Sequence, residues 1–396
     1  MEFTYYQPTK IHMGPGFIQK LPEIVRLYGK TALLIGPESN PAIAGMQKRA
    51  MDILQSSGID AHAFFEVETN PSSRTVDRAL AAAHQYHPDV LIGLGGGSSI
   101  DTAKLVGLMA GLDQISWDKL FDRYSDFRKH YDNPGESTIP VIAIPTTSGT
   151  GSQCTQACVI THSGKKLTVF HQNAYARHAI LDPELTMTLP PFLTACTAFD
   201  AFTHCFESYM NNEDDIISRM MAERGMKLIA EYLPKTLASN QIENREKLMI
   251  ADTFGGISLA NHGAGLPHPI SEVMGGYIPR LSHGYALAMV YPAFLRNTCD
   301  CHAAKYAEIM RLLQPESGSL PDQELAELLP ETIEKMISAA GLEMDPRKYQ
   351  IDRECCESIR SDPIWDHLRM ESAEVIRNTV DAVCDQTERM IENEAH

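Results

Sequence analysis

Four residues in the second half of the chain have the side-chain types and spacing of a metal site. Asp200 and His204 stand four residues apart in the apolar segment 194–209, which has helical character. This spacing places both side chains on one helix face, roughly 5–6 Å apart at Cβ, so one ion can bind both. His268 and His283 follow downstream and complete a set of one carboxylate and three imidazoles. Such ligands suit Fe(II), Zn(II) or Mn(II) and are unsuited to soft copper or an iron–sulfur cluster.

A glycine-rich turn lies about a hundred residues upstream of these candidate ligands. Segment 88–104 reads as a strand, a glycine turn and the start of a helix. The glycines let backbone N–H groups approach a pyrophosphate, while Ser98 and Ser99 can cap a helix whose dipole favours an anion. The third glycine of the G-x-G-x-x-G fingerprint is missing, so a plain tight turn is the alternative. The candidate cofactor-binding residues of this turn are Gly95, Gly96, Gly97 and Ser98.

A second polar stretch, 144–152, follows another apolar run and interleaves hydroxyl side chains with two glycines. Hydroxyl groups and backbone N–H groups can bind phosphate and ribose without a charged side chain. A surface loop is the alternative interpretation. Lys166 stands in the predicted turn 164–167 and can supply a cation to the same cofactor, or be a solvated turn lysine. A metal and a dinucleotide in one chain together indicate metal-assisted hydride transfer.

Composition and charge argue against several classes of protein. The net charge of −17 argues against non-specific binding to nucleic acid or anionic membranes. No apolar run approaches the length of a membrane span, and the polar start of the chain has no export signal. The nine scattered cysteines fit a reducing compartment better than a disulfide framework. We therefore expect a cytoplasmic protein with neither a nucleic-acid partner nor a membrane partner.

The order of apolar runs predicts two domains. Short runs that alternate with helical stretches predict buried parallel strands at 31–35, 61–67, 90–94 and 141–144. Later segments are helical, for example 216–238, 245–261 and 303–313. This pattern predicts an α/β nucleotide-binding domain at 1–187, with flanking helices on a parallel sheet. An all-α metal-binding and substrate domain is predicted at 188–396.

Taken in order along the chain, these motifs resemble the iron-containing (group III) alcohol dehydrogenase family. The matching segments are 95–104, 145–152, 199–209, 266–268 and 282–284. The resemblance implies the dehydroquinate synthase-like fold and NAD(P)-dependent interconversion of a primary or small alcohol and its aldehyde. It implies that the metal polarises the substrate oxygen and that the protein is a homodimer or a larger homo-oligomer.

The resemblance also implies roles for individual residues. The implied metal ligands, which act in catalysis through one divalent ion, are Asp200, His204, His268 and His283. Fe(II) is the expected ion and Zn(II) the alternative. The glycine turn with Ser98 corresponds to the family's phosphate loop, and Lys166 to its lysine. Beside the nicotinamide and ribose lie Thr146, Thr147 and Thr150. Pro37 occupies the place of an adenosine-binding aspartate and Glu38 follows it, which favours NAD over NADP slightly.

Some positions depart from the family pattern. Glu272 stands where many members carry a second histidine near the substrate, which makes it a candidate catalytic residue. Alternatively His268 is that second histidine and Ala264 occupies a ligand position, although a full ligand count favours His268 as a ligand. Gln153 stands where a glutamate is often found. By position alone, the substrate side is lined by Phe254, Gly255 and Gly256.

Two other functions stay open from sequence. One is a related enzyme on the same scaffold, either glycerol-dehydrogenase-like or dehydroquinate-synthase-like. Few basic residues surround the motifs, which counts against a lyase that must bind a phosphorylated acid. The other is a non-catalytic metal or nucleotide binder, which the departures at Glu272 and Gln153 motivate.

Overall fold

The structure is a computed structural model that describes residues 2–41, 43–211 and 214–392. Its strands are β1 (Lys10–Met13), β2 (Thr31–Pro37), β3 (Asp60–Val67), β4 (Val90–Gly95), β5 (Val141–Pro145), β6 (Ala157–His162), β7 (Lys165–Phe170) and β8 (His178–Leu181). The helices of the first half are α1 (Leu21–Val25), α2 (Ala44–Ser56), α3 (Ser73–Tyr86), α4 (Gly97–Met109) and α5 (Trp117–Arg123). The second half contains α6 (Pro191–Asn211), α7 (Ile216–Ala238), α8 (Ile242–His262), α9 (Pro267–Tyr277), α10 (His283–Thr298), α11 (Ala303–Leu313), α12 (Asp322–Ala339), α13 (Arg353–Arg360) and α14 (Ala373–Glu392).

Six strands form a parallel sheet in the order β1-β8-β5-β4-β2-β3. Its two faces are both covered: Leu33 and Ile35 of β2 belong to one apolar cluster, while Ala32 and Leu34 belong to another. Parallel strands buried on both faces require such continuous apolar runs. From β2 the chain passes to β3 on one side, and the connection from β3 then crosses back to β4 on the other side of β2. The switch point therefore lies between β2 and β4.

The remaining two strands, β6 and β7, form an antiparallel hairpin in which His162 pairs with Lys165. Ser163 and Gly164 occupy its tip with φ values of 50° and 79°. The prediction that Lys166 lies in a turn is therefore wrong, because the turn is only two residues long and Lys166 is already in β7. The hairpin packs against α9 of the second half.

The second half of the chain is helical around one large apolar core. Helix α6 lies inside it, in contact with α7, α8 and α10, and its residues 198–209 are all buried. Asp200, His204 and Glu207 form a buried polar stripe on one face of this helix, and apolar side chains cover the other faces. Among the described helices, none combines the length and apolar character of a membrane span.

The fold class predicted from sequence is confirmed, with a parallel sheet and flanking helices followed by helices alone. All four predicted strands are present. Strands β1 and β8 and the β6–β7 hairpin were not predicted, since the two parallel strands are only four residues long. The predicted boundary near residue 188 stays a prediction; it falls between the short turn Pro183–Thr186 and α6.

Candidate metal centre and cofactor cleft

The structure brings the four candidate ligands together from three helices. Helix α6 carries Asp200 and His204 one turn apart, α9 carries His268, and His283 is the first residue of α10. The Oδ1 atom of Asp200 lies 3.6 Å from Nε2 of His204, 3.7 Å from Nε2 of His268 and 3.6 Å from Nε2 of His283. One carboxylate oxygen is thus surrounded by three imidazole nitrogens.

The cage is closed on one side and open on the other. The ligand atoms of Asp200, His204 and His268 lie within 4.8 Å of one another, a tight group to which His283 does not belong. The side chains of Asp200, His204 and His268 are 4%, 6% and 8% exposed, whereas that of His283 is 28% exposed. A substrate would therefore approach the cage from the His283 side.

Hydrogen bonds at Nδ1 fix the orientation of each imidazole. Nδ1 of His204 lies 3.1 Å from the Gly149 carbonyl oxygen, and Nδ1 of His268 lies 2.7 Å from Oε2 of Glu207. The Ser271 hydroxyl donates to the His268 carbonyl, so it can accept from Nδ1 of His283, 3.3 Å away. Each Nδ1 can therefore carry the hydrogen while the lone pair of Nε2 faces Asp200.

The cage fits a divalent ion. Oδ1 of Asp200 and Nε2 of His268 are buried atoms without a hydrogen-bond partner in the described structure. Such orphaned polar atoms are costly unless something binds them. Bonds of about 2.1 Å in a tetrahedral site separate neighbouring ligand atoms by about 3.4 Å, close to the spacing observed around Asp200. The residues present therefore match the group that the sequence predicted.

The electrostatics of the cage favour a cation. Burial raises the pKa of Asp200, but the imidazoles of His204 and His283 outweigh burial and hold this pKa at about 2. Burial lowers the pKa of His204, and it lowers the pKa of His283 to about 3. Burial also opposes charge on His268, yet the carboxylates of Glu207 and Asp200 raise its pKa above the usual range. A bound ion would displace the proton that His268 holds, because a metal ligand must offer a free lone pair.

The candidate cofactor residues meet at the carboxyl ends of neighbouring strands. Pro37 ends β2, Gly95 ends β4, and Thr146 directly follows β5 and donates its N–H to the Gly95 carbonyl at 3.0 Å. This edge, at the switch point of an open parallel sheet, is where nucleotide ligands bind. Glu38 is exposed just beyond β2, and no contact in the structure tests its role.

Close packing explains why the turn after β4 is glycine-rich. Gly95 has a φ of +150°, and a Cβ there would lie 2.5 Å from Oγ of Ser99. A Cβ at Gly97 would lie 2.7 Å from Cγ2 of Thr150, so the two polar loops touch. The N-cap of α4 is Gly96 and no side chain caps the helix, so the prediction that Ser98 or Ser99 caps it is wrong. Both serines already lie inside the helix, whose free N–H groups remain open to an anion.

Lys104 and Asp101 form a buried ion pair that connects the glycine turn to the second polar loop. Neither residue was given a role from the sequence. Lys104 is fully buried on α4, and its Nζ lies 3.2 Å from Oδ1 of Asp101. The same ammonium donates to the carbonyl oxygen of Ser152 at 3.0 Å and to its hydroxyl at 3.1 Å. The pair could have been predicted from the sequence, because Asp101 and Lys104 stand three residues apart directly after the glycine turn.

Two glycine contacts join the second loop to the helical half. A Cβ at Gly256 of α8 would lie 2.6 Å from Cα of Gly151, and one at Gly149 would lie 2.6 Å from Cβ of Thr197 on α6. Gly255 faces the Ala201 carbonyl on α6. The prediction that Gly255 and Gly256 line the substrate side is therefore wrong, since both are helix-packing positions.

A buried carboxyl on α8 supports the same loop. Asp252 accepts from the N–H of Gly151 at 2.8 Å and from Nε2 of Gln153 at 2.8 Å. Gln153 can donate to this carboxylate, whereas a glutamate at its position would oppose it with a second negative charge. The carboxyl of Asp252 therefore suits the glutamine that stands at position 153 in place of the family's glutamate.

Replacing Asp252 with asparagine is expected to stabilise the metal-free protein more at pH 8 than at pH 5. Burial raises the pKa of Asp252 to about 7. The folded state therefore holds this proton more tightly than the unfolded chain, and the contribution to stability is lost as the pH rises through about 7. The gain at pH 8 is on the order of 1–4 kcal/mol. Urea unfolding at both pH values measures this gain in stability. An equal gain at pH 5 and pH 8 would contradict the raised pKa of Asp252.

The structure places Lys166 and Glu272 at the metal end of the cleft. A Cβ at Gly275 on α9 would lie 3.3 Å from Nζ of Lys166. Burial lowers the pKa of Lys166, and the charges of Glu272 and Asp200 oppose that shift. Whether Lys166 serves the cofactor stays a prediction.

The fold and the site together define a class. A glycine-rich loop lies at the switch point of the parallel sheet, and an Asp–His cage lies in the helical half. This combination is that of a dinucleotide-binding α/β protein with a candidate metal centre. Residues 8–183 match the family model of iron-containing alcohol dehydrogenase, and residues 194–385 match that of the C-terminal part of the Fe-containing family. The chain belongs to the iron-containing alcohol dehydrogenase family and is an oxidoreductase acting on CH–OH donors.

Individual relatives have different named substrates. The NAD-dependent methanol dehydrogenase of Bacillus methanolicus is 30% identical over 326 residues, covering 82% of this chain and 83% of that protein. The sulfoacetaldehyde reductase of Bilophila wadsworthia is 31% identical over 327 residues, covering 81% of each. An iron-containing alcohol dehydrogenase from Thermotoga maritima has a TM-score of 0.78 at 26% identity, covering 97% of this chain and 100% of that one.

Proposed function

We propose that this chain is a metal-dependent, NAD(P)-linked alcohol dehydrogenase that also reduces aldehydes, acting on a primary or small alcohol. The observation that carries the proposal is the position of three imidazole Nε2 atoms 3.6–3.7 Å from one oxygen of Asp200. This cage opens on the His283 side, and Gly149, in the second cofactor loop, contacts His204 directly.

The chain's own residues hold and orient the reacting groups. Asp200, His204, His268 and His283 would hold one divalent ion, Fe(II) in the first place and Zn(II) as the alternative. Such an ion supplies Lewis-acid polarisation of the substrate oxygen. Glu207, itself held by the hydroxyl of Tyr291 at 3.0 Å, keeps His268 oriented towards the cage. Burial of the cage excludes water, so the charge of Asp200 acts at low local dielectric.

The cofactor is proposed to lie across the carboxyl edge of the sheet. The residues proposed for its pyrophosphate are Gly95, Gly96, Gly97 and Ser98, and those for its ribose and nicotinamide are Thr146, Thr147 and Thr150. Pro37 and Glu38 would face the adenosine ribose. A carboxylate there repels a 2′-phosphate, which supports NAD over NADP. The NAD-dependent methanol dehydrogenase relative is consistent with this preference.

Metal removal and reconstitution test the proposal. Chelator-treated protein is expected to lose oxidation of NADH with short aldehydes, and Fe(II) or Zn(II) should restore it. Parallel assays with NADPH rank the two cofactors. Circular dichroism of the stripped protein controls for unfolding, and the same chelator added after reconstitution controls for inhibition by the reagent.

Two results would contradict the proposal. Activity that survives in metal-free protein would remove the ion from the reaction. Silence of folded, metal-loaded protein across alcohols and aldehydes would favour a dehydroquinate-synthase-like or binding-only function. The homo-oligomer is a separate expectation, which light scattering in solution tests.

A further inference from the structure

Lys348 places its ammonium among three aromatic rings beside the first turn of α10. It lies in the short turn Pro346–Tyr349, between α12 and α13. Its Nζ atom lies 3.1 Å from the ring centroid of Phe192, 5.1 Å from that of Tyr285 and 5.9 Å from that of Tyr349. A cation within about 6 Å of an aromatic ring is attracted by the negative face of that ring. We call these three rings the aromatic cluster.

The aromatic cluster joins three separate segments of the chain. Phe192 belongs to α6, Tyr285 to α10, and Tyr349 to the turn that carries Lys348. The ring centroids of Phe192 and Tyr285 are 5.8 Å apart, and those of Tyr285 and Tyr349 are 5.2 Å apart. The ammonium of Lys348 therefore binds rings that come from two helices and a turn.

The Tyr285 hydroxyl adds two hydrogen bonds to this junction. It donates to the carbonyl oxygen of Glu343 at 2.7 Å and accepts from the N–H of Asp345 at 2.7 Å. Both partners lie in the segment that leads into the turn of Lys348. The beginning of α10 is thus attached to this segment as well as to α6.

The contacts between α10 and α6 follow a regular spacing. Tyr285 contacts Phe192. The preceding residue, Gly284, approaches Cys196 so closely that a Cβ there would lie 2.6 Å from the carbonyl carbon of Cys196. Phe192 and Cys196 stand four residues apart on one face of α6, and Asp200 follows one turn further along. The first turn of α10 therefore packs along the face of α6 that leads to the metal centre.

His283 is the candidate ligand whose position depends on this packing. It is the first residue of α10, and its Nε2 atom lies 3.6 Å from Oδ1 of Asp200. It is the most exposed of the four candidate ligands and lies outside the tight group that the other three form. No side chain caps the helix at Ser282, directly before it. Contacts of the residues that follow, Gly284 and Tyr285, must therefore hold this turn in place.

We propose that Lys348 is a positioning residue of the metal centre. Its ammonium holds the aromatic cluster together, and the cluster fixes the first turn of α10 so that Nε2 of His283 faces Asp200. The inference rests on the proposed function, because it requires the cage to hold a divalent ion. Without the charge of Lys348, the rings lose the attraction that joins them, and His283 moves more freely relative to the other ligands. A site with one loosely held ligand binds its ion more weakly.

Equilibrium titration of metal-free, full-length protein with Zn(II), in competition with a chromophoric chelator, tests the proposal. Lys348→Met keeps the length of the side chain and removes its charge, so it should raise the Kd for Zn(II) roughly 3- to 30-fold. Lys348→Arg keeps a cation over the rings and should restore a Kd close to that of the wild type. Phe192→Leu removes the ring nearest to the ammonium and should also raise the Kd.

Lys335→Met is the matched control for the loss of one positive charge. Lys335 is exposed on α12 and pairs with Glu331 at 2.8 Å. This variant should keep the wild-type Kd for Zn(II). Urea unfolding of every variant checks that it is folded under the conditions of the titration.

A double-mutant cycle with His283→Ala separates positioning from a general structural role. His283→Ala removes the ligand through which Lys348 is proposed to act. In this background Lys348→Met should leave the Kd for Zn(II) unchanged. A general loss of structure would instead raise the Kd by the same factor in both backgrounds.

The inference is wrong if Lys348→Met binds Zn(II) with the wild-type Kd, or if it weakens binding equally in the His283→Ala background. It is also wrong if Lys348→Arg binds as weakly as Lys348→Met, since the charge over the rings would then not be the cause. Each of these results leaves the proposed function intact, because the wild type still binds the ion. Absence of saturable Zn(II) binding by the wild type would overturn the proposed function itself, together with this inference.

Discussion

Replacing Asp200 with asparagine is expected to abolish metal-dependent turnover while the protein remains folded. Asp200 supplies the single oxygen that all three imidazoles surround, and it is the carboxylate of the candidate ligand set. Asparagine keeps the volume but removes the negative charge that attracts the ion. Loss of a catalytic metal removes several kcal/mol of transition-state stabilisation, which is on the order of 10³-fold or more in kcat/KM. Steady-state kinetics and the bound metal content of the same sample measure the effect.

Asp300→Asn provides a control for this substitution, because Asp300 is exposed and lies just beyond the end of α10 opposite to His283. It should keep wild-type kinetics and metal content. Circular dichroism should show the wild-type helix content in both variants. If Asp200→Asn bound a full equivalent of metal and turned over normally, the assignment of the cage would be wrong.

Gly284→Ala is expected to cause the second large loss, through the position of His283. A Cβ at Gly284 would overlap the carbonyl oxygen of Cys196 on α6 and lie 2.6 Å from its carbonyl carbon. Both partners are backbone atoms, so α10 must move away from α6 and take His283 away from Asp200. Overpacking of this kind costs about 1–3 kcal/mol or more of stability. We expect a lower unfolding midpoint together with metal affinity reduced by roughly 10-fold or more.

Gly276→Ala on α9 is the matched control. A Cβ at Gly276 would meet only the Gly164 carbonyl oxygen, at an ordinary 3.6 Å. This variant should retain metal affinity, which equilibrium titration with Zn(II) measures for both proteins. Wild-type affinity in Gly284→Ala would show that α10 adjusts without moving His283, contrary to the expectation.

Local patterns were enough for the fold class and for part of the site. Parallel strands buried on both faces need continuous apolar runs, so Leu33 and its neighbours were recognisable as a strand. The four-residue spacing of Asp200 and His204 predicts one shared helix face, which is a local property. The family resemblance, now confirmed by the matches to both halves of the chain, supplied the distant histidines. The four-residue strands β1 and β8 were too short to stand out from loops.

Contacts between distant segments could not be predicted in this way. A glycine such as Gly256 looks the same in the sequence whether it lines a pocket or packs against another backbone. Only its close approach to Gly151 in the structure shows that it is a packing position. Lys166 was assigned to a turn over residues 164–167, whereas strand pairing already begins at Lys165. Asp252 gave no signal at all, because its role depends on Gln153 about a hundred residues earlier.

The sequence by itself determined the chemistry available to this protein: an aspartate and histidines of metal-ligating type, a glycine turn behind a strand, and a two-part organisation. These features depend on side-chain type and on neighbours a few residues apart, which the order of residues specifies directly. Only the tertiary structure decided that the Nδ1 atoms of His204 and His268 meet Gly149 and Glu207, so that both Nε2 atoms face Asp200. It alone brought Lys166 of β7 next to Gly275 of α9. The physical reason is that packing of three helices and a hairpin fixes distances between residues that the chain leaves far apart.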